Sequence, residues 1–251
     1  MYLCFEIQEK LVNPYTTEGS KKQQVIRMFD NISGTYDLLN SILSLGIDRY
    51  WRKKALNLIS KAPGDSLKLL DIASGTCDLA IQAARTYKNS KIIATDVSEK
   101  MLEIGRAKVI KQHLQNQIEC QFADAENIPF TENTFDVITV AFGVRNFENL
   151  EKGILEMHRV IKPGGQIVIL EFSRPLIFPI KQIFQFYFKY ILPLIGRMLS
   201  KDQRAYNYLF ESVQQFPDFG RFTAILEASG FKNCSYKPLT FGICSIYIGY
   251  K

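Results

Sequence analysis

The sequence predicts an α/β fold, a doubly wound and mostly parallel sheet, on three observations. Five short apolar runs between residues 67 and 172 alternate with stretches of helical periodicity, the pattern of strands joined by crossover helices. The first run ends in Asp71 and leads into a small-residue turn, Ala73 to Thr76, where such sheets bind ligands. Size and composition agree, since 251 residues, 47% apolar and 22% charged, suffice for one core.

Residues 1–19 lack periodicity and contain Pro14, so a loose arm is expected before a single domain over 20–251. Ser20 and Gln23 have capping-box spacing, and Val25, Ile26, Phe29 and Ile32 follow at helical intervals. Gly34 is expected to end that helix. A second helix is expected over 48–60, with Trp51, Ala55, Leu58 and Ile59 on one side, completing an N-terminal helical part over 20–60. Strands are expected at 67–72, 91–95, 118–122, 135–141 and 166–172. A helix over 150–161 carries Ile154, Leu155, Val160 and Ile161 and is stopped by Lys162 to Gly165. Residues 176–210 form an inserted apolar helical region, and the chain closes with strands at 231–237 and 243–250 around a turn at Thr240 to Gly242.

Within the insert, 176–199 is the most apolar stretch of the chain, but Lys181, Gln182, Gln185 and Lys189 interrupt it. That makes it a poor transmembrane span. Ile180, Ile183, Phe184, Tyr187, Phe188, Ile191 and Leu192 fall on one helical stripe. Two readings stand: a helix packed on the core, or one facing a greasy substrate and a membrane. The net charge of +6 clusters at Lys21 and Lys22, from Arg49 to Lys54, and from Lys181 to Arg204. This suits an anionic membrane surface or nucleic acid. Five cysteines, none spaced as C-x-x-C, argue against a disulfide framework or a zinc site and for a reducing cytoplasm. Glu6 and Glu9, with no long apolar core, make the N-terminus neither signal nor transit peptide.

Acids recur at the expected strand ends. Asp96 ends the second strand, 25 residues after Asp71, and can serve two ribose hydroxyls; Asp124 follows the third, placed to meet an adenine edge. A nicotinamide dinucleotide would need G-x-G-x-x-G around its pyrophosphate, and this loop has only Gly75. S-adenosylmethionine carries no phosphate, needs fewer glycines, and is the favoured cofactor.

The stretches "LLDIASGTCDLA", "DAENIPFTENTFDVITVAFGVRN" and "RVIKPGGQIVILEFSRP" resemble the ubiquinone/menaquinone biosynthesis C-methyltransferases (UbiE/MenG type). The resemblance runs from about residue 24 to the C-terminus, and "AFGVRN" and "LEFSRP" are its most particular parts. It implies the class I methyltransferase sheet of seven strands with an antiparallel last strand. It also implies S-adenosylmethionine contacts at Thr76, Asp96, Asp124 and Ala125, beside Asp71 and Gly75 of the loop. The implied reaction methylates a ring carbon of a prenylated quinol, naphthoquinol or benzoquinol, in respiratory quinone biosynthesis. The enzyme would be cytoplasmic, touching an anionic membrane at its inner face, with a homodimer left open. Tyr36, Asp78, Arg145 and Asn146 are the candidates for the acceptor pocket. Arg145 would hold a phenolate or orient a proton-accepting water, or else tie the loop to Glu148 or Glu171.

Three positions depart from the family pattern: Cys77 for a glycine, Ala141 for a serine, and Asp48 for a frequent histidine. Cys77 has no neighbouring base, since His113 and His158 lie in expected helices, so it is read as a small residue at a negative-φ position. Nucleic-acid methylation is disfavoured. The position after the fourth strand reads Ala141 to Asn146 rather than Asn-Pro-Pro-Tyr, and no Pro-Cys loop is present. A non-catalytic adenosyl-binding protein stays open at this level.

Overall fold

The computed structural model describes residues 12–15, 19–44, 46–61, 64–191, 202 and 204–251. Most of the expected arm, and Leu192, Arg197 and Lys201 of the apolar insert, lie outside the described residues. Seven strands form one sheet in the order β3-β2-β1-β4-β5-β7-β6. They are β1 Lys68–Ile72, β2 Lys91–Asp96, β3 Ile118–Phe122, β4 Phe135–Ala141, β5 Ile161–Phe172, β6 Lys232–Leu239 and β7 Cys244–Tyr250. The first five are parallel, while β7 is antiparallel to both its neighbours. The helices are α1 Lys21–Leu43, α2 Ile47–Leu56, α3 Asp78–Thr86, α4 Glu99–Lys111, α5 Leu150–Val160, α6 Ile180–Phe186, α7 Arg204–Gln215 and α8 Gly220–Ala228.

Covered on both faces, the central strands are apolar at successive positions rather than alternate ones. Leu69 joins the core shared with α2 and α3, whereas Leu70 joins the core shared with α5 and α8. A third cluster lies off the sheet, where Val25 and Met28 of α1 meet Phe184 of α6 and Tyr206 and Tyr208 of α7. Lys22, Asp30 and Asp37 are spaced along one side of α1 and bond Asp124, Ser98 and Thr76, beyond β3, β2 and β1 respectively. The helix therefore lies across the carboxyl ends of the strands.

Four expected boundaries moved, and one is the strand expected at 166–172, which starts at Ile161 and includes Lys162 to Gly165. Gly34 does not end α1, which runs on to Leu43. A glycine costs about 1 kcal/mol in a helix, and contacts of Ile32 before it and Asp37 after it outweigh that. The second helix stops at Leu56, where the Asn57 N–H caps it on the Lys53 carbonyl. The apolar stripe is not one helix either: α6 gives way at Tyr187 to a wide π turn through Ile191. That turn keeps Phe184 and Phe188 buried and leaves Ile183 exposed. No helix among the described residues is long and apolar enough to cross a membrane.

Candidate active site

The loop between β1 and α3 is shaped by the acids around it. Asp71 is buried and accepts hydroxyl bonds from Ser74 at 2.5 Å and Thr139 at 2.6 Å; burial pushes its carboxyl up to about 6. It stiffens the loop from beneath. Asp96 accepts the Gly75 N–H at 2.8 Å with one oxygen and the Ser98 N–H at 2.9 Å with the other. Burial raises its pKa against those bonds. Gly75 and Asp96 share a cleft with Ala73, Asp124, Ala125, Ala141 and Asn146. A Cβ on Gly143 would meet the Ala73 Cβ at 2.5 Å, so only glycine lets the β4 turn close against this loop. Lys22 lines the cleft, with its ammonium 2.7 Å from Asp124 and 3.3 Å from Glu126.

Thr76 and Asp78 face elsewhere. The Thr76 hydroxyl donates to Asp37 at 2.6 Å, and the Lys108 ammonium bonds Thr76, Asp37 and Asp78. Arg52 lies 3.7 Å from Asp78 and 2.6 Å from Asp48, so the Asp48 departure is a buried ion pair. Thr76, Asp78 and Arg52 line a small recess beside the loop rather than the cleft itself. The reading of Cys77 needs correction: its φ is +65°, a left-handed residue at the N-cap of α3. Its thiol packs 3.5 Å from the Cys120 thiol, and that contact together with burial pushes its pKa up, leaving a poor nucleophile. The buried thiol and its packing offset the backbone strain.

Beyond the cleft lies a second cavity of about 330 Å³, mostly apolar, walled by Met28, Trp51, Phe172, Phe184 and Phe188. Phe29, Tyr36, Phe142 and Asn146 border both spaces, which makes them the junction. Arg145 reaches the cavity from the turn after β4. One guanidinium nitrogen (Nη1) donates to Glu171 at 2.6 Å and to the Phe142 carbonyl at 2.6 Å. Glu171 is fully buried, and burial raises its pKa despite that partner. Of the two roles expected for Arg145, the tether to Glu171 is therefore present. Its Nε, the Asn146 Oδ1 and the Tyr208 hydroxyl are buried without hydrogen-bond partners among the described residues, and all three residues line this cavity.

Residues 17–251 match the model of the ubiE/COQ5 methyltransferase family. The chain belongs to that family. It is 46% identical over 244 residues to the demethylmenaquinone methyltransferase of Bacteroides fragilis, covering 97% of this chain and 98% of that one. It is 45% identical over 237 residues to the ubiquinone/menaquinone biosynthesis C-methyltransferase UbiE of Geotalea daltonii, covering 94% and 98%. Among solved structures, an S-adenosylmethionine-dependent methyltransferase from Aquifex aeolicus superposes with a TM-score of 0.57 at 18% identity, covering 79% of this chain and 88% of that one. Phosphoethanolamine N-methyltransferase 2 of Haemonchus contortus, solved with S-adenosylmethionine, gives a TM-score of 0.59 at 14% identity, covering 80% and 52%. The fold is the class I methyltransferase fold, and this member of the ubiE/COQ5 family is an S-adenosylmethionine-dependent enzyme.

The cleft suits that cofactor. Acids end β2 and follow β3, and small residues floor the loop between them. As described, the cleft encloses only about 70 Å³, against the roughly 300 Å³ of the smallest usual ligand pockets. Reading the sequence missed Lys22, Lys108 and Tyr208 as site residues. Lys22 stood in a charge cluster that pointed to an anionic surface or nucleic acid rather than to the loop after β3, and Lys108 and Tyr208 sit in helices whose pattern carries no chemical signal.

Proposed function

We propose that this enzyme methylates a ring carbon of a prenylated naphthoquinol, of the demethylmenaquinol class, seated in the apolar cavity. One observation carries the reading: an apolar cavity of about 330 Å³ meets the cofactor cleft at Phe29, Tyr36, Phe142 and Asn146. A flat ring there would present a carbon to the cleft while its tail ran on between aromatic walls. The names of the B. fragilis and G. daltonii relatives support ring methylation of a quinone precursor.

Asp96, Gly75, Asp124 and Ala125 would hold the S-adenosylmethionine, with Asp71 and Thr76 fixing the loop. Bound there, it supplies an electrophilic methyl group. The residues of the chain do the rest. The walls fix the ring's orientation and exclude water, a contribution of several kcal/mol through proximity. Arg145, its charge balanced by Glu171, offers its remaining Nε–H to a ring oxygen, and Asn146 offers a carbonyl to a hydroxyl proton. Asp78, tied to Lys108 and Arg52, supports the loop instead of acting on the ring.

The cavity also reaches the surface. Ile183 lines it yet is 60% exposed, and Leu176, Ile177 and Phe178 beside it are exposed as well. Lys181 and Lys189 flank this greasy patch. Such a face suits peripheral contact with an anionic membrane from the cytoplasmic side, where the tail would enter. Trp51 is the only tryptophan of the chain and lines the cavity, so its fluorescence reports occupancy. Titration with a prenylated naphthoquinone should quench it saturably, and an unquenched Trp51 would defeat the reading.

A further inference from the structure

Buried hydroxyls in a folded protein almost always have a partner, and an unpartnered one calls for a reason. Tyr208 is 2% exposed, and its hydroxyl has no hydrogen-bond partner among the described residues. Its placement is well determined by packing. Ala205, Tyr208 and Ser212 form the buried side of α7, and that helix packs on the turn at Val144–Asn146 and on the π turn after α6. The ring therefore stands in the wall of the apolar cavity, against the turn that carries Arg145 and Asn146.

Three orphaned polar atoms consequently gather on one cavity: the Tyr208 hydroxyl, the Arg145 Nε and the Asn146 Oδ1. Two are donors and one is an acceptor. A single isolated orphan would read as a packing cost. A donor pair with an acceptor on the wall of an otherwise apolar cavity matches the polar edge of a hydroxylated ring. The charged groups around Tyr208 are Arg145 and Glu171, and Asp48 and Arg52 line the same cavity as an ion pair. Burial raises the Tyr208 pKa, so the hydroxyl keeps its proton and acts as a donor.

We infer that Tyr208 is a further catalytic residue, donating a hydrogen bond, alongside the Arg145 Nε–H, to the quinol oxygen next to the carbon being methylated. This rests on the quinol reading of the cavity. Loss of the hydroxyl proton to solvent leaves negative charge on that oxygen, and fixed donors hold the resulting phenolate; its ring carbon then bonds the methyl as the methyl–sulfur bond breaks and S-adenosylhomocysteine leaves, and the carbon's own proton passes to water to restore the aromatic ring. The free protein bears the cost of leaving the hydroxyl unpaired until substrate arrives.

The Tyr208→Phe variant separates this role from a structural one. Removing an unpaired buried hydroxyl should leave the melting temperature of the free protein unchanged or raised, and S-adenosylhomocysteine affinity within about twofold of wild type. With reduced demethylmenaquinone, kcat should fall by about 10²-fold, the size seen when one oxyanion donor is removed. The loss should shrink towards high pH, where the quinol ionises without help. An active wild type with an equally active variant would overturn the inference while sparing the quinol reading. A lowered melting temperature would also overturn it, by showing that the hydroxyl supports the fold. A wild type that binds S-adenosylhomocysteine but ignores every prenylated quinol would overturn the quinol reading and this inference with it.

Discussion

Replacing Arg145 by alanine should first be felt in the fold. Its guanidinium is 2.6 Å from Glu171, the two side chains being 8% and 0% exposed. It also bonds the Phe142 carbonyl and lies 5.5 Å over the Phe172 ring. Truncation leaves the Glu171 carboxylate in the core with the Phe172 N–H as its main remaining partner, at 2.9 Å. Removing one member of such a pair costs about 3–5 kcal/mol. For a chain of this size each kcal/mol moves the melting temperature by about 2–4 °C, so a fall of about 6–20 °C is expected. The loss should depend on pH. Burial already raises the Glu171 pKa, and loss of the cation raises it further, so the folded variant holds a proton that the unfolded chain has released. Stability of the variant then falls as pH rises from the ordinary glutamate value through the raised one, and acidification from pH 8 to 6 recovers part of it. Calorimetric melting at both pH values is the assay. Arg145→Met combined with Glu171→Gln should melt above Arg145→Ala alone, because no unpaired charge remains. A melting temperature for Arg145→Ala within about 2 °C of wild type at pH 8 would refute the reasoning. Turnover by Arg145 variants is meaningful only well below their melting points.

Asp96→Ala removes the acceptor for the Gly75 and Ser98 N–H groups as well as the group facing the cofactor; calorimetry should show S-adenosylhomocysteine binding weakened about tenfold or more. Unchanged affinity would remove Asp96 from the site. Gly105→Ala should destabilise the fold, since its Cβ would lie 2.5 Å from the Cys77 sulfur, and adding Cys77→Gly should restore most of the melting temperature by freeing that space and relieving the positive φ. No rescue would mean the clash lies elsewhere. Ile177→Ser with Phe178→Ser should lower sedimentation with anionic vesicles at low salt and leave S-adenosylhomocysteine binding unchanged. Equal sedimentation would show that this patch does not meet lipid.

The sheet was legible because its evidence is local. Apolar runs and the acids at strand ends each act within a few residues and sit where the pattern puts them, while Lys162 to Gly165, expected as a stop before the strand, lie inside β5. Gly34 misled because a glycine's preference is weak beside the contacts α1 makes across the strand ends. Cys77 misled because φ is set by the turn and by the space over Gly105, 28 residues away. Arg145 was legible as a residue that matters but not by its partner, since Glu148 and Glu171 are equally available in a sequence. Tyr208 was invisible. Its significance is a missing hydrogen bond, and only coordinates reveal an absence of that kind.

The central claim is that the ring stands at the junction of cleft and cavity with a carbon towards the cofactor. It is tested most directly by incubating the enzyme with reduced demethylmenaquinone and S-adenosylmethionine labelled with ¹³C in the methyl group, then locating the label in the product by NMR. The account predicts a single enriched methyl bonded to the ring carbon beside a hydroxyl-bearing carbon. Label found on a ring oxygen, or no transfer to the quinol by enzyme that binds S-adenosylhomocysteine, would contradict it.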